Sequence, residues 1–531
     1  MKRARSLIFL TLSFCLSAPF LSAGVLLLKD GRFFDDIPMQ QVAGGYTVQF
    51  EHGQVLVPER LVEAAILDSD EVSPYVAKNA DEEAKLADGL VPFQGRWMSV
   101  KNRDKKLKKI VDDKRAEVLD YESHLLWRDR YKVKTKNFYF EHNIPPNVFD
   151  RYSKILEAYF DIFRKDWKIK PKKGLGKDPR DHRLLICFYN DRDYFQQVGG
   201  APRGALGYFR FVKPLELNVF YDKYSEQDTI EVMFHEVGHY LHKLIDVNFK
   251  YPHFPGECLA EYYGASYWDA ESETLTSGLI LEGRLTEVKT DIAKGDMMTL
   301  AEMMNTGPYE DYTWGWTFVH FLMNDSRYEK NFKKFFTGLA KDKKIKRKPF
   351  GIDNLQTVPQ REIMAIFMKY MKLKSQDDLL AMQQEWYDYI NNDLQVTSAF
   401  GLEKAADNAR RHSRHIRARR LYQEALETGE ASAQLHYKYA WFILKSAKDN
   451  KKERSSEELE EERTLLELLF RKASEIDPLT AVYHACLGHF IKAVNDDLED
   501  GERMILLAND IGPKEDVADA LKSLTRYISI D

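Results

Sequence analysis

His235-Glu236-Val237-Gly238-His239 sets two imidazoles four positions apart, with a carboxylate beside the first. On a helix, positions i and i+4 share a face, so both rings can reach one cation while Glu236 projects beside them toward water. This HExxH spacing is a zinc-binding signature. The bare pattern also arises by chance, so its weight rests on what surrounds it. Ile230, Phe234, Val237, Leu241 and Leu244 recur at helical spacing and predict an amphipathic helix over 228–245. Asp228 and Glu231 are expected to open that helix in the manner of a capping box. His242 lies on nearly the same face and reads as a surface or supporting histidine.

A zinc site needs at least one more protein ligand. Downstream runs Phe254-Pro255-Gly256-Glu257-Cys258-Leu259-Ala260-Glu261-Tyr262-Tyr263. Pro255 and Gly256 interrupt the chain, and 257–267 predicts a second helix. Together the two segments resemble the gluzincins, the thermolysin-like and aminopeptidase-like zinc peptidases of the MA type, and among them secreted bacterial peptidase-MA-like proteins. The resemblance covers roughly 132–392, and its specific motifs are these two helices. It implies a zincin-like α+β catalytic domain binding Zn2+ through His235, His239 and Glu257, which stands 18 residues past His239. Glu261 takes the place of the acidic residue that orients the first histidine, here His235. Glu236 would be the general base of peptide hydrolysis. Gluzincins often supply a Tyr or His from a later helix to the developing oxyanion. Tyr312, near the start of a predicted aromatic helix over 310–323, is the candidate, with His320 its rival and Tyr309 a weaker one. Two positions depart from the family pattern: Cys258 stands where Gly is usual, and Gly256 where Asn is common.

The elements that must hold these residues are legible in outline. Apolar runs at 138–140, 184–189 and 215–221 predict strands, and 148–167 predicts a helix. Strands ahead of an HExxH helix suit a zincin, whose edge strand can pair with an extended peptide. The glycine-rich 199–204 lacks the Gly-Lys-Ser/Thr of a phosphate loop and reads as a turn. Short alternating runs with Asp-Gly and His-Gly turns make 24–70 a small β-rich module. The charged 71–130 reads as a helical connector. Its lysine-dense part, 101–115, is interleaved with acids and reads as a solvated helix face rather than a polyanion site. The catalytic domain is expected over 131–395. Residues 396–531 are almost wholly helical, about three helix pairs with Asp477-Pro478 between helices, and resemble tetratricopeptide-like repeats. The whole is an α+β multidomain chain ending in an all-α solenoid.

Lys2, Arg3 and Arg5 followed by an apolar 7–16 and Leu21-Ser22-Ala23 predict a signal peptide over 1–23, cleaved near Ala23, and hence a secreted or periplasmic protein. No later stretch reads as transmembrane. The net charge of −5 argues against a nucleic-acid binder. Cys187, Cys258 and Cys486 form no disulfide framework; buried thiols are expected, with a Cys187–Cys258 bridge the alternative. Partners are expected to be a peptide or protein substrate, and a protein bound through the repeats. Two other classes of function fit the same residues: an inactive zincin-fold scaffold working through its repeats, and a zinc hydrolase of a non-peptide bond.

Overall fold

The computed structural model describes residues 23–67, 77–93, 95–170, 181–211, 215–270, 272–305, 311–351, 354–449, 455–494 and 497–528. The expected signal peptide, Tyr309 and Glu310 lie outside them. The chain divides into two compact units. One runs to Leu28 and resumes over Arg32–Arg115; the other holds Lys29–Gly31 and Ala116–Asp531.

The first unit contains two three-stranded antiparallel sheets. Gly24–Leu28 pairs with both Phe33–Phe34 and Val62–Leu67, and Gly45–Phe50 pairs with both Met39–Val42 and Gly53–Pro58. Val25, Leu26, Met39, Val48 and Val57 are buried. Beyond them the connector is helical at Ala80–Ala87 and Val100–Ser123 but also carries a hairpin, Leu90–Phe93 with Arg96–Ser99, which the charge pattern hid. Gly95, at φ +74, supplies the turn. Along Val100–Ser123 only Val111 is buried, which is how a solvated helix face behaves.

In the second unit a five-stranded mixed sheet runs in the order Gly207–Arg210, Glu216–Phe220, Leu184–Tyr189, Phe138–His142, Tyr131–Lys134. The three inner strands are parallel and both edges antiparallel. Leu184–Tyr189 is buried throughout, as a central strand covered on both faces must be. The helix Pro146–Asp166, with proline in its first turn, lays Tyr152, Leu156, Tyr159 and Phe163 into the core. Tyr159 stacks on Phe234 of the motif helix at 4.3 Å between ring centroids.

The motif helix spans Glu226–Ile245, two residues longer at its start than the apolar pattern indicates. Asp228 and Glu231 therefore lie inside it, and the expected capping box is absent: Ser225 is the N-cap, without a side-chain cap. Asp228 instead pairs with Lys404. The second helix runs His253–Gly264, with a non-helical break at Phe254, and stops short of Tyr267. The chain then forms a hairpin, Ser266–Asp269 with Thr274–Ser277. Later helices Glu282–Lys294 and Asp311–Asn324 pack against each other, and the latter crosses the second helix.

From 399 onward the described chain is all helical. Ala399–Arg411 packs on His415–Glu427, Ala433–Asp449 on Ser456–Ile476, and Ala481–Val494 on Leu498–Ile511, with Lys514–Leu524 closing the array. Its apolar cluster begins at Ala399, whereas that of the sheet and motif helices ends at Leu394. Hydrogen bonds join the two regions. Glu282 accepts from the backbone N–H groups of Thr397 and Ser398, Lys404 meets Asp228, and Asn408 meets Glu287. Among the described residues no helix is long and apolar enough to cross a membrane. Cys187, Cys258 and Cys486 are buried free thiols.

Candidate metal centre

Two helices bring three donors to one point. His235 Nε2 and His239 Nε2 are 3.2 Å apart, and Glu257 Oε2 lies 3.4 Å from the first and 3.0 Å from the second. Zinc bonds of about 2.0–2.1 Å in a tetrahedron need donor separations of roughly 3.3–3.4 Å. The triangle is therefore already of the size one zinc ion requires, and two imidazoles with one carboxylate form a donor set that zinc favours. The three residues are also one of the groupings in the chain able to hold a metal ion.

The approach of the helices depends on small residues. A Cβ at Gly315 would stand 2.1 Å from Cys258 Sγ, so the helix Asp311–Asn324 can cross the second helix only because Gly315 has no side chain. That crossing delivers Tyr312, whose hydroxyl donates to Glu257 Oε2 at 3.2 Å. Tyr312 thus reaches the triad itself. His320, the rival, is buried with its Nδ1 against the Tyr389 hydroxyl at 2.8 Å, and does not join the site.

Glu261 lies 3.3 Å from His235 Nδ1, the ring nitrogen that faces away from the triad. Behind it Arg284 donates twice to the Glu261 carboxylate, at 2.8 and 2.7 Å. A paired, buried carboxylate there fixes the imidazole's orientation and its proton on Nδ1. Burial works against the Glu261 charge, but Arg284 and His235 outweigh it and hold the carboxyl below its ordinary range. Burial likewise opposes ionisation of Glu257, and His239 and His235 together keep it well below that range. For His235 burial disfavours the cation, but hydrogen bonds to Glu257 and Glu261 raise its pKa to about 10. Burial, then the charge of Glu257, pushes Tyr312 upward, so it remains a hydroxyl and a donor at neutral pH.

The triad opens into a cleft of about 380 Å³ that Glu236 also lines. The edge strand Gly207–Arg210 runs close beside it, since a Cβ at Gly207 would lie 2.7 Å from Val232 and 3.5 Å from the Glu236 Cγ. His242 is not on the surface. It is 3% exposed, lines the cleft, and stacks edge-on against Phe336. Burial, and the neighbouring His239 after it, lower its pKa well below the usual value.

Sequence reasoning singled out His235, Glu236, His239, Glu257 and Tyr312, which the structure brings to one cleft, and Glu261, which faces His235 Nδ1. It missed Arg284 and Lys250. The ammonium of Lys250 lies 3.9 Å from Glu257 Oε1. Neither sits in a recognisable motif; only the need of a buried Glu261 for a countercharge could have called for an arginine. No protein-family model matches this chain, and no curated protein does.

Proposed function

We propose that this chain is a zinc-dependent peptidase of gluzincin type that acts outside the cytoplasm on peptide or protein substrates. The observation that carries the reading is the convergence of His235 Nε2, His239 Nε2 and Glu257 Oε2 within 3.0–3.4 Å of one another, beside the carboxylate of Glu236 in an open cleft. Zinc held by these three residues would polarise the scissile carbonyl and make water acidic enough to attack near neutral pH.

The rest is done by side chains. Glu236 takes a proton from the attacking water onto its carboxylate and passes it to the leaving amine nitrogen. The Tyr312 hydroxyl, beside Glu257 Oε2, donates to the oxygen on which charge develops. Glu261, anchored by Arg284, keeps the His235 ring turned so that Nε2 faces the metal position. The edge strand Gly207–Arg210 offers backbone groups along which an extended peptide can lie. In the same reading the sheet and two motif helices are a zincin-type domain, and the C-terminal helix pairs are tetratricopeptide-like repeats. A cavity of about 680 Å³ between those helices and Tyr224, lined also by Tyr437, Trp441, Tyr483 and Tyr527, suits a protein partner.

The decisive test is Glu236→Gln. It preserves shape and ligands but not the base, so the variant should bind zinc as the parent does and hydrolyse a peptide library at least about a hundredfold more slowly. Equal cleavage rates would refute the assignment. Parental turnover of small esters with none of peptides would transfer the site to non-peptide hydrolysis.

A further inference from the structure

The helix Glu282–Lys294 packs against both the site-bearing helix Asp311–Asn324 and the first C-terminal helix, Ala399–Arg411. Its residues Arg284, Glu287 and Asp291 follow one another three and four positions apart, so they share one stripe. Each meets a successive residue in the first turn of Asp311–Asn324. The Arg284 guanidinium lies 5.5 Å from the Tyr312 ring centroid, Thr313 Oγ1 donates to Glu287 Oε2 at 3.1 Å, and Trp314 Nε1 donates to Asp291 Oδ2 at 3.3 Å. The turn that delivers Tyr312 to the metal ligands is thus seated on this helix residue by residue.

The C-terminal helix reaches the same seat. Glu287 divides its carboxylate between the two neighbours: Oε2 accepts from Thr313, and Oε1 accepts from Asn408 Nδ2. The other acids at this junction behave differently. In the hydrogen bonds described, the carboxylates of Asp228 and Glu282 serve only Lys404 and the segment Thr397–Ser398. Glu287 alone of the three also bonds toward the site. Without the Asn408 amide, half of a partly buried carboxylate loses its donor and can turn toward water, carrying the Thr313 bond with it. An oxyanion donor acts only where the charge develops, so a small displacement of Tyr312 is felt in the rate.

Resting on the peptidase reading, we propose that Asn408 and Glu287 are positioning residues for the Tyr312 hydroxyl, through which the first C-terminal helix fixes the oxyanion donor of a site built by the sheet and motif helices. Neither residue touches substrate. The C-terminal helices therefore support turnover itself, in addition to any partner they bind.

Steady-state kinetics of the full-length, zinc-loaded protein on a peptide that the parent cleaves tests this. A displaced donor forfeits part of its effect, so Asn408→Ala should lower kcat about tenfold. KM and zinc content should stay within about twofold of the parent. Glu287→Gln should keep most of the rate, because its amide can accept from Asn408 and donate to the Thr313 hydroxyl. Thr313→Val cuts the same path at its other end and should match Asn408→Ala, which keeps the test sound if one of the two fails to fold. In Tyr312→Phe, already slowed about a hundredfold, Asn408→Ala should change kcat by less than about twofold, since no hydroxyl remains to be misplaced. General loosening of the structure would slow both backgrounds alike. A second readout needs no turnover: a fluorotyrosine placed at position 312 reports its surroundings by fluorine NMR. Asn408→Ala should shift or split its resonance, and Glu287→Gln should leave it in place. With an active parent, an unchanged kcat in Asn408→Ala and Thr313→Val, or equal losses with and without the Tyr312 hydroxyl, overturns the proposal while hydrolysis stands. If the parent cleaves no peptide, the hydrolytic reading falls and the resonance decides: one that ignores Asn408→Ala overturns the positioning as well.

Discussion

Gly315→Ala adds one methyl group where two site-bearing helices cross. That methyl would lie 2.1 Å from Cys258 Sγ, against an ordinary contact of about 3.5–4.0 Å. Cys258 is fully buried, so the sulfur has no open space to swing into. Relief requires the helices Asp311–Asn324 and His253–Gly264 to separate by roughly 1.4 Å or more. Overpacking of this kind costs about 1–3 kcal/mol, and a clash this deep belongs at about 3 kcal/mol. Glu257 precedes Cys258 and Tyr312 is one turn before Gly315, so the same displacement should loosen the metal site. Removing the sulfur by Cys258→Ala should alone cost about 1 kcal/mol. In the double variant the nearest remaining atoms are the residue-258 Cβ at 3.3 Å and Met303 Sδ at 3.8 Å, a fit needing little movement. It should lie within about 1 kcal/mol of the parent, a coupling of about −3 kcal/mol. Urea unfolding of the four proteins measures the coupling, and zinc competition against a chelator measures the site. Additive costs, within about 0.5 kcal/mol, would refute the claim that Gly315 exists to admit Cys258.

The ligand set predicts that His235→Ala or His239→Ala loses bound zinc, and that Glu257→Ala nearly does, by elemental analysis of purified protein. Glu261→Ala should retain it with about 10–100-fold weaker affinity; full occupancy in Glu257→Ala with loss in Glu261→Ala would reverse the two roles. Glu231 is pushed up to about 7, by burial first. Its folded pKa exceeds its unfolded one, so the protonated acid is favoured in the native state, and stability falls as pH rises from about 4.5 to 7. Glu231→Gln should therefore gain on the parent by about 1–3 kcal/mol at pH 8 and little at pH 4.5, by thermal unfolding at both; a difference independent of pH would refute this. A chain ending near Gln395 keeps every buried residue of the apolar cluster of the sheet and motif helices but deprives Asp228 of Lys404, Glu282 of Ser398 and Glu287 of Asn408. It should fold and bind zinc with a lowered Tm; aggregation of every such truncation would make the C-terminal helices part of the same folding unit.

What the sequence disclosed follows physical lines. Regular periodicity made the motif helix, the central strand Leu184–Tyr189 and the helix Pro146–Asp166 readable, because each buries a face or a whole element. Chemistry at fixed helical spacing made His235, Glu236 and His239 readable. Glu257, Glu261 and Tyr312 came through likeness to known zinc peptidases, and the structure places all three around the imidazoles. Features set by tertiary context were hidden. Asp228 looks like a cap yet serves as the partner of Lys404, 176 residues away. The hairpins at 90–99 and 266–277 are too short to register in a window suited to helices. Cys258 departs from the gluzincin pattern the segment resembles, and only the crossing shows that Gly315 gives up its own side chain opposite that sulfur. Arg284 and Lys250 answer charges created by folding, so no local signal announces them.

The acidic residues Glu282, Asp228 and Glu287 make a docking strip for the first C-terminal helix, received by Ser398, Lys404 and Asn408. That strip acts as an address. A different helical array grafted after residue 395 would remake these bonds if its first helix carried a hydroxyl, a cation and an amide at the same offsets. Conversely, these helices would lose all three bonds against a surface lacking the acids. Shape enters the seat as well: a Cβ at Gly401 would lie 2.3 Å from Glu282 Cβ and one at Gly283 2.8 Å from Lys404 Cβ, so close helix packing and polar pairing set the junction together.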